Sequence, residues 1–324
     1  MKTREGKNWM EKVWERFRPH LPAGLMLCLL GLFFSLQAEQ FFSLRNFINI
    51  MTQTAAMSIL AVGLTFVLIG GHFDISGGSV LALVGVCCGK LLIGGVPVPV
   101  VMLAGIGLGA LVGLFNGFCV AKLRLSSFIL TLTTSIMVKG IAAAVSGGRT
   151  LSGLPDTFNF LGAGKLGNLP VPVILTVLLF LIFHFVLSGT IYGHRVYAVG
   201  EQAEHARKAG IPVERIVIMN FVLAGCLYAL SAIVLTGRLG AAVSTNGLDL
   251  EMMALSALAI GGISMTGGRG NLIGAFLGCL IIGVLSNGLN LLNLSPYYAD
   301  FIRGVVIFGT LALESVRVMW KRRS

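Results

Sequence analysis

Residues 274–288 read GAFLGCLIIGVLSNG, and the fold turns on how they are understood. They lie inside an uncharged apolar run, 271–293, long enough as a helix to cross a bilayer core of about 30 Å. Glycines recur at Gly274 and Gly278, a step that lets helix backbones approach closely where lipid supplies no hydrophobic drive for association. A second stretch, GLGALVGLFNG over 107–117, is likewise glycine-spaced and has the same Asn-Gly ending. Each is followed shortly by Leu-Ser, at Leu125-Ser126 and Leu294-Ser295. A further pair, GHFDISGGSVLALVG (71–85) and GLDLEMMALSALAIGG (247–262), sets an aspartate ahead of a small-residue helix in each half. Repeats of this kind are a common way to build transporters.

Working outward, apolar runs of about span length cover 21–37, 51–70, 96–121, 126–145, 170–188, 216–236, 271–293 and 299–319. Runs 75–94 and 252–264 are glycine-interrupted or short, and read as full spans, half-helices or re-entrant pieces. The expected fold is therefore an all-α polytopic membrane protein of about 8–10 transmembrane helices, arranged as two inverted-topology repeats with short or broken helices. Only 11% of the residues are charged while 56% are hydrophobic, which excludes an ordinary soluble domain. The net charge of +11 does not indicate a nucleic-acid partner, because the basic residues sit between apolar runs and form no single basic face. With ten crossings and the N-terminus inside, seventeen of the 24 Lys and Arg residues fall on the cytoplasmic side, as the positive-inside rule requires. The expected organisation is a cytoplasmic tail over 1–20, a transmembrane domain over 21–319 with a cytoplasmic loop at 189–215, and a basic tail at 320–324. The first run is preceded by a long charged segment without a small-residue cleavage site, and reads as a retained helix.

Catalytic patterns are missing. The histidines show no HExxH spacing, and neither a GxSxG turn nor a GxxxxGK[ST] phosphate loop occurs. The glycines at 105, 107 and 109 lack the spacing of a dinucleotide fingerprint. The six cysteines lie in apolar segments without metal-ligand spacing. No catalytic residue, metal or cofactor is expected. Polar groups inside apolar runs are the functional candidates by default. Asp74 and Ser76 stand at a glycine break where a polar solute or a helix cap is the alternative use, and Asp249 occupies the corresponding place in the second half. Asn116 and Asn287 end glycine-rich helices, and suit interhelical hydrogen bonds or a pathway lining. No acidic cluster is read at mid-span. Asp300 and Arg303, three apart, are expected to pair.

One polar stretch stands out, GEQAEHARKAGIP over 200–212. Residues 201–209 predict a short helix stopped by Gly210 and Pro212, with Glu204 and Lys208 spaced to support it. Ala203, Ala206 and Gly210 give one small, smooth face suited to a groove on another protein. Together with IYGHRVYAVGEQAEHARKAGIP (191–212), GHFDISGGSV (71–80) and ALAIGGISMTGGRGNLIGAFLGCLIIGVLSNGLNLL (257–292), the chain resembles the permease subunits of bacterial ribose-type, or monosaccharide, ABC importers from about residue 40 to about 315. His72 stands where that family commonly has glycine. The resemblance implies that Glu201, Ala203, Glu204, Ala206, Arg207, Lys208 and Gly210 form a coupling helix for an ATP-binding subunit. It also implies a periplasmic substrate-binding protein, a second permease copy or paralogue, and residence in the bacterial inner membrane with both termini cytoplasmic. A monosaccharide such as ribose is the implied cargo. The alternatives are a sugar-derived signal molecule, a nucleoside or an amino acid in the same importer class, or a secondary transporter.

Overall fold

A computed structural model describes residues 21–295, 297–306, 308 and 309. The tail expected over 1–20, most of the run 299–319 and the tail at 320–324 lie outside the described residues. The helices are α1 (Leu21–Gln37), α2 (Leu44–Ile69), α3 (Gly77–Ile93), α4 (Val98–Lys122), α5 (Ser127–Ser146), α6 (Asp156–Ala163), α7 (Val171–Gly189), α8 (Ile191–Lys208), α9 (Val213–Leu239), α10 (Leu250–Ile260) and α11 (Leu272–Leu291). A further helical stretch, α12, covers 297–306. Among the described residues α2, α4, α5, α7, α9 and α11 are long and apolar enough to cross a membrane. The chain is an all-α, multi-pass membrane protein.

The greasiest helices are on the outside. The apolar window of α7, mean hydropathy 2.6, is 28% buried, whereas that of α2, mean hydropathy 1.8, is 89% buried. Lipid is as apolar as leucine, so the interior is chosen by packing and polar contacts instead. α2 and α9 form that interior. Gly63 of α2 meets the Ala224 backbone, and the Ser231 hydroxyl donates to the Ala56 carbonyl at 2.6 Å. α4 crosses α9 where Gly109 and Gly225 face one another, each leaving no room for a methyl group against the other's carbonyl. α10 and α11 meet in the same way, through Gly278 against the Ala257 carbonyl. The Gly-xxx-Gly steps read from the sequence are packing surfaces at these crossings.

The order α2–α3–α4–α5 is repeated as α9–α10–α11–α12, with an aspartate-bearing break after the first helix of each set. α2 ends beside Gly200 and Gly268, while α9 begins at that same end, where Asn220 meets Tyr192 of α8. α9 ends at the opposite face, where β1 (Leu151–Ser152) pairs antiparallel with β4 (Ala241–Ala242). The two sets therefore run in opposite senses. Lys90 at the end of α3 reaches the Val145 carbonyl on that second face, while α10 ends towards the first.

Several boundaries differ from the sequence reading. Run 51–70 begins earlier, at Leu44, because Ser43 accepts from the Asn46 amide and caps the helix. The run 252–264 is an eleven-residue helix, 250–260, about 17 Å long at 1.5 Å per residue, which then turns through Gly261 and Gly262. Run 75–94 becomes a seventeen-residue helix that starts inside the protein after a non-helical segment. The stretch 146–169 carries α6 and a small hairpin of β2 (Lys165–Leu166) and β3 (Leu169–Pro170). Gly162 of α6 fits against the backbone of Val234 and Gly237.

Candidate functional site

The polar stretch that the sequence marks at 201–209 belongs to a longer helix. α8 starts at Ile191, where Thr190 accepts from the Gly193 amide at 3.2 Å. Its first ten residues lie on the bundle through buried Val196 and Val199. Tyr192 donates to Asn220 Oδ1 at 2.6 Å and Tyr197 donates to the Gly270 carbonyl at 2.7 Å. Gly200 is wedged between the Ile69 carbonyl and the Gly268 amide, which themselves hydrogen bond at 2.9 Å. Only glycine fits there. At Gln202 the backbone leaves helical geometry (φ −161°, ψ 97°), and the helix bends into an elbow. Beyond the bend Gly210, at φ +81°, turns the chain back towards α9.

At the elbow and beyond it, Glu201, Ala203, Glu204, Arg207, Lys208 and Gly210 are exposed. Ala206 is not on that face. It is 4% exposed and packs into the main core, because the bend rotates the short segment so that its third turn position faces the bundle. The expected smooth face therefore reduces to Ala203 and Gly210 with charged neighbours. The spacing of Glu204 and Lys208 is not used as an ion pair. Instead Arg207 bonds Glu214 across the turn at 2.6 Å, a half-exposed pair worth less than about 1 kcal/mol.

The second polar feature lies within the bundle. Between α2 and α3 the non-helical segment 72–75 runs back into the protein from the α2 end to the N-cap Ser76. Its amides need partners where there is no water. α5 supplies them: Ser127 Oγ accepts from the Phe73 amide at 3.0 Å and Thr131 Oγ1 from the Ile75 amide at 3.1 Å. One turn further, the Ser135 hydroxyl meets that of Ser79 at 2.7 Å. These positions are four apart, and hence on one helix face. Thr134 donates to Asn116 Oδ1 at 2.8 Å, the Asn116 amide donates to Ser76 Oγ at 3.1 Å, and Ser76 donates to Asp74 Oδ1 at 2.6 Å. The Ser76 amide also donates to Asp74 Oδ1, at 2.8 Å. A line of donors thus ends at one carboxylate.

The structure brings Asp74, Ser76 and Asn116 together, all fully buried. Asp74 is neither the cap of α3, whose N-cap is Ser76, nor open to an outer surface. Asn287 lies elsewhere: its Oδ1 accepts from Asn46 at 2.9 Å and ties α11 to α2. Asp249, exposed and left-handed (φ 69°), begins α10 at the edge of an open cleft of about 330 Å³ lined also by Met252, Met253, Ser256, Asp300 and Arg303. Asp300 and Arg303 pair as the sequence predicts, at 2.7 Å. The expectation of no acidic cluster at mid-span is overturned: Glu251, 7% exposed, lies within electrostatic reach of buried Asp74. Sequence reasoning passed over Glu251, Tyr228 and the α5 hydroxyls. Glu251 was findable as a charge in an apolar helix, and Ser127, Thr131 and Ser135 by their four-residue spacing.

The sequence that builds this bundle is similar to those of known transport proteins. The family model described as branched-chain amino acid transport system / permease component matches residues 46–311. The ribose import permease protein RbsC of Bacillus subtilis (strain 168) is 34% identical over 316 residues, 97% of both chains. The D-allose transport system permease protein AlsC of Escherichia coli (strain K12) is 33% identical, covering 93% of this chain and 92% of its own. The autoinducer 2 import system permease protein LsrC of Shigella flexneri is 34% identical, covering 85% and 81%. No solved structure was found to match the chain. With four fifths of its length inside the family match and relatives this similar from end to end, the chain belongs to the family of import-system permease components.

Proposed function

We propose that this chain is the membrane-spanning permease subunit of an ATP-driven, binding-protein-dependent importer in the bacterial inner membrane, and that its cargo is a monosaccharide such as ribose or a related sugar. The observation that carries the reading is the elbow of α8. A membrane protein has no packing use for an exposed, charged helical tip over 203–208 whose stem is fastened to both inverted halves, through Ile69, Asn220 and Gly268–Gly270. A docking partner gives it one. The sugar assignment is supported by the ribose and allose relatives, and the autoinducer relative keeps a sugar-derived signal molecule as the second reading.

On this reading the chain is not an enzyme. An ATP-binding subunit seats the tip and hydrolyses ATP, a periplasmic binding protein delivers sugar to the face carrying β1, β4 and α6, and a second permease copy or paralogue completes the pathway. Rocking of the inverted halves about the buried seam alternates access. Asp249 and the cleft beside α10 lie where a solute would pass, whereas Asp74, Ser76, Asn116 and Asn287 hold the pathway's shape.

The test is to purify the complex through this chain in mild detergent and measure ATP hydrolysis with and without binding protein and sugar. The expected result is a copurifying ATP-binding subunit whose hydrolysis rises with sugar-loaded binding protein. A chain that purifies alone and carries sugar into vesicles without ATP would overturn the reading in favour of a secondary transporter.

A further inference from the structure

The seam holds a feature that the importer reading does not use. Asp74 and Tyr228 are each 1% exposed, Glu251 is 7% exposed, and the three come from the α2–α3 break, α9 and α10. Tyr228 lies against the Asp74 carboxylate and within reach of Glu251. Its hydroxyl is buried without a hydrogen-bond partner, and so is Glu251 Oε2. Around Glu251 the facing charged or titratable groups are Asp249 on its own element, Asp74 and Tyr228. No lysine, arginine or histidine is among them. The ion pairs of the described residues lie elsewhere, at Arg207–Glu214 and Arg303–Asp300.

Two ionised carboxylates in a dry interior without a cation repel one another and lose hydration that nothing replaces. The relief is for one of them to carry a proton. The surroundings of the two differ. Asp74 Oδ1 accepts both the amide and the hydroxyl of Ser76, which favours its ionised form. Glu251 Oε2 makes no hydrogen bond, although the Gly78 amide lies within reach of the carboxylate, and it crowds the Gly78 position together with the Gly247 carbonyl, an acceptor. The carboxyl with the fewer donors is the one left to carry the hydrogen.

We propose that Asp74, Tyr228 and Glu251 form a proton-binding site in which Glu251 holds the proton, Asp74 is ionised and the Tyr228 hydroxyl points to Asp74. The ligand is a proton from water, and its release leaves a second carboxylate on the contact between α3 and α10. That contact joins one inverted half to the other. Loss of the proton therefore drives α3 and α10 apart, and their separation admits the water that receives it. This site stands on the buried groups alone and does not rest on the coupling role of α8.

The test is infrared difference spectroscopy of the full chain in lipid nanodiscs, titrated in pH, with deuterium exchange to identify the C=O stretch of a protonated carboxyl. The expected result is such a band at neutral pH in the native chain, absent in Glu251→Gln. In Asp74→Asn, where the anionic neighbour is gone, the band should disappear at lower pH than in the native chain. A chain without the band at neutral pH, or a Glu251→Gln variant that retains it, would overturn the assignment. Should Asp74→Asn fail to fold, the comparison of native chain with Glu251→Gln decides alone.

Discussion

Thr131 illustrates how much rests on single side chains here. Its hydroxyl is the partner of the Ile75 amide at 3.1 Å, in a non-helical segment that no helix or sheet satisfies. Thr131→Val keeps the shape and removes that acceptor, leaving a buried N–H unpaired at a cost of about 1–3 kcal/mol. The expected outcome is a lower unfolding temperature of the purified chain, with no comparable loss in Thr133→Val, whose side chain is exposed. A single sequence hides such roles. Threonine in an apolar helix more often bonds its own backbone, as Thr131 also does to the Ser127 carbonyl at 2.8 Å, so only the fold reveals the second use. Asp74 was legible as important because a charge in an apolar run is costly. Its pairing with Glu251 was not, because 175 residues of intervening chain separate Asp74 from the helix that carries Glu251.

Among elements, α8 separates what the sequence can tell from what it cannot. A polar helix with a stop at Gly210 was readable from composition and from Gly-x-Pro punctuation. The bend at Gln202 was not, since no proline or glycine marks that position, and it is the bend that turns Ala206 inward. The two alanines should therefore answer differently to the same substitution. Ala203→Trp places bulk on the exposed tip, and should abolish sugar-stimulated ATP hydrolysis while the chain still inserts and resists heat as before. Ala206→Trp places the same bulk in a closed core, where overpacking costs about 1–3 kcal/mol, and should lower thermal stability even in the isolated chain. Equal coupling in Ala203→Trp and native complexes would remove the docking role of the tip.

For the whole molecule, the alternation of basic residues and the repeated glycine patterns carried most of the architecture. Periodicity located the spans because every backbone group in lipid must find an internal partner, which leaves helices as the only open choice. It marked 75–94 and 252–264 as interrupted or short but left full spans, half-helices and re-entrant pieces open, because an eleven-residue apolar helix such as α10 is continuous in sequence with the turn that follows it. The structure gathers Lys122, Arg207, Lys208 and Arg269 towards the elbow end and Lys165 and Arg238 towards the end with β4. By the positive-inside rule, the proposed orientation has the elbow in the cytoplasm. In a background without native cysteines, Lys208→Cys should react with a membrane-impermeant thiol reagent only after cells are opened, and Lys165→Cys in intact cells. The reverse pattern would invert the orientation.

Gly200 sits where three pieces of backbone meet: the last turn of α2, the stem of α8 and the turn between α10 and α11. With no side chain to act as a spring, the joint has no slack, and whatever displaces the tip displaces the end of a helix from each half at once. The protein is thus yoked. On the importer reading proposed above, that yoke gives one stroke rather than two gates, so a solute is not released by a half that moves without its twin.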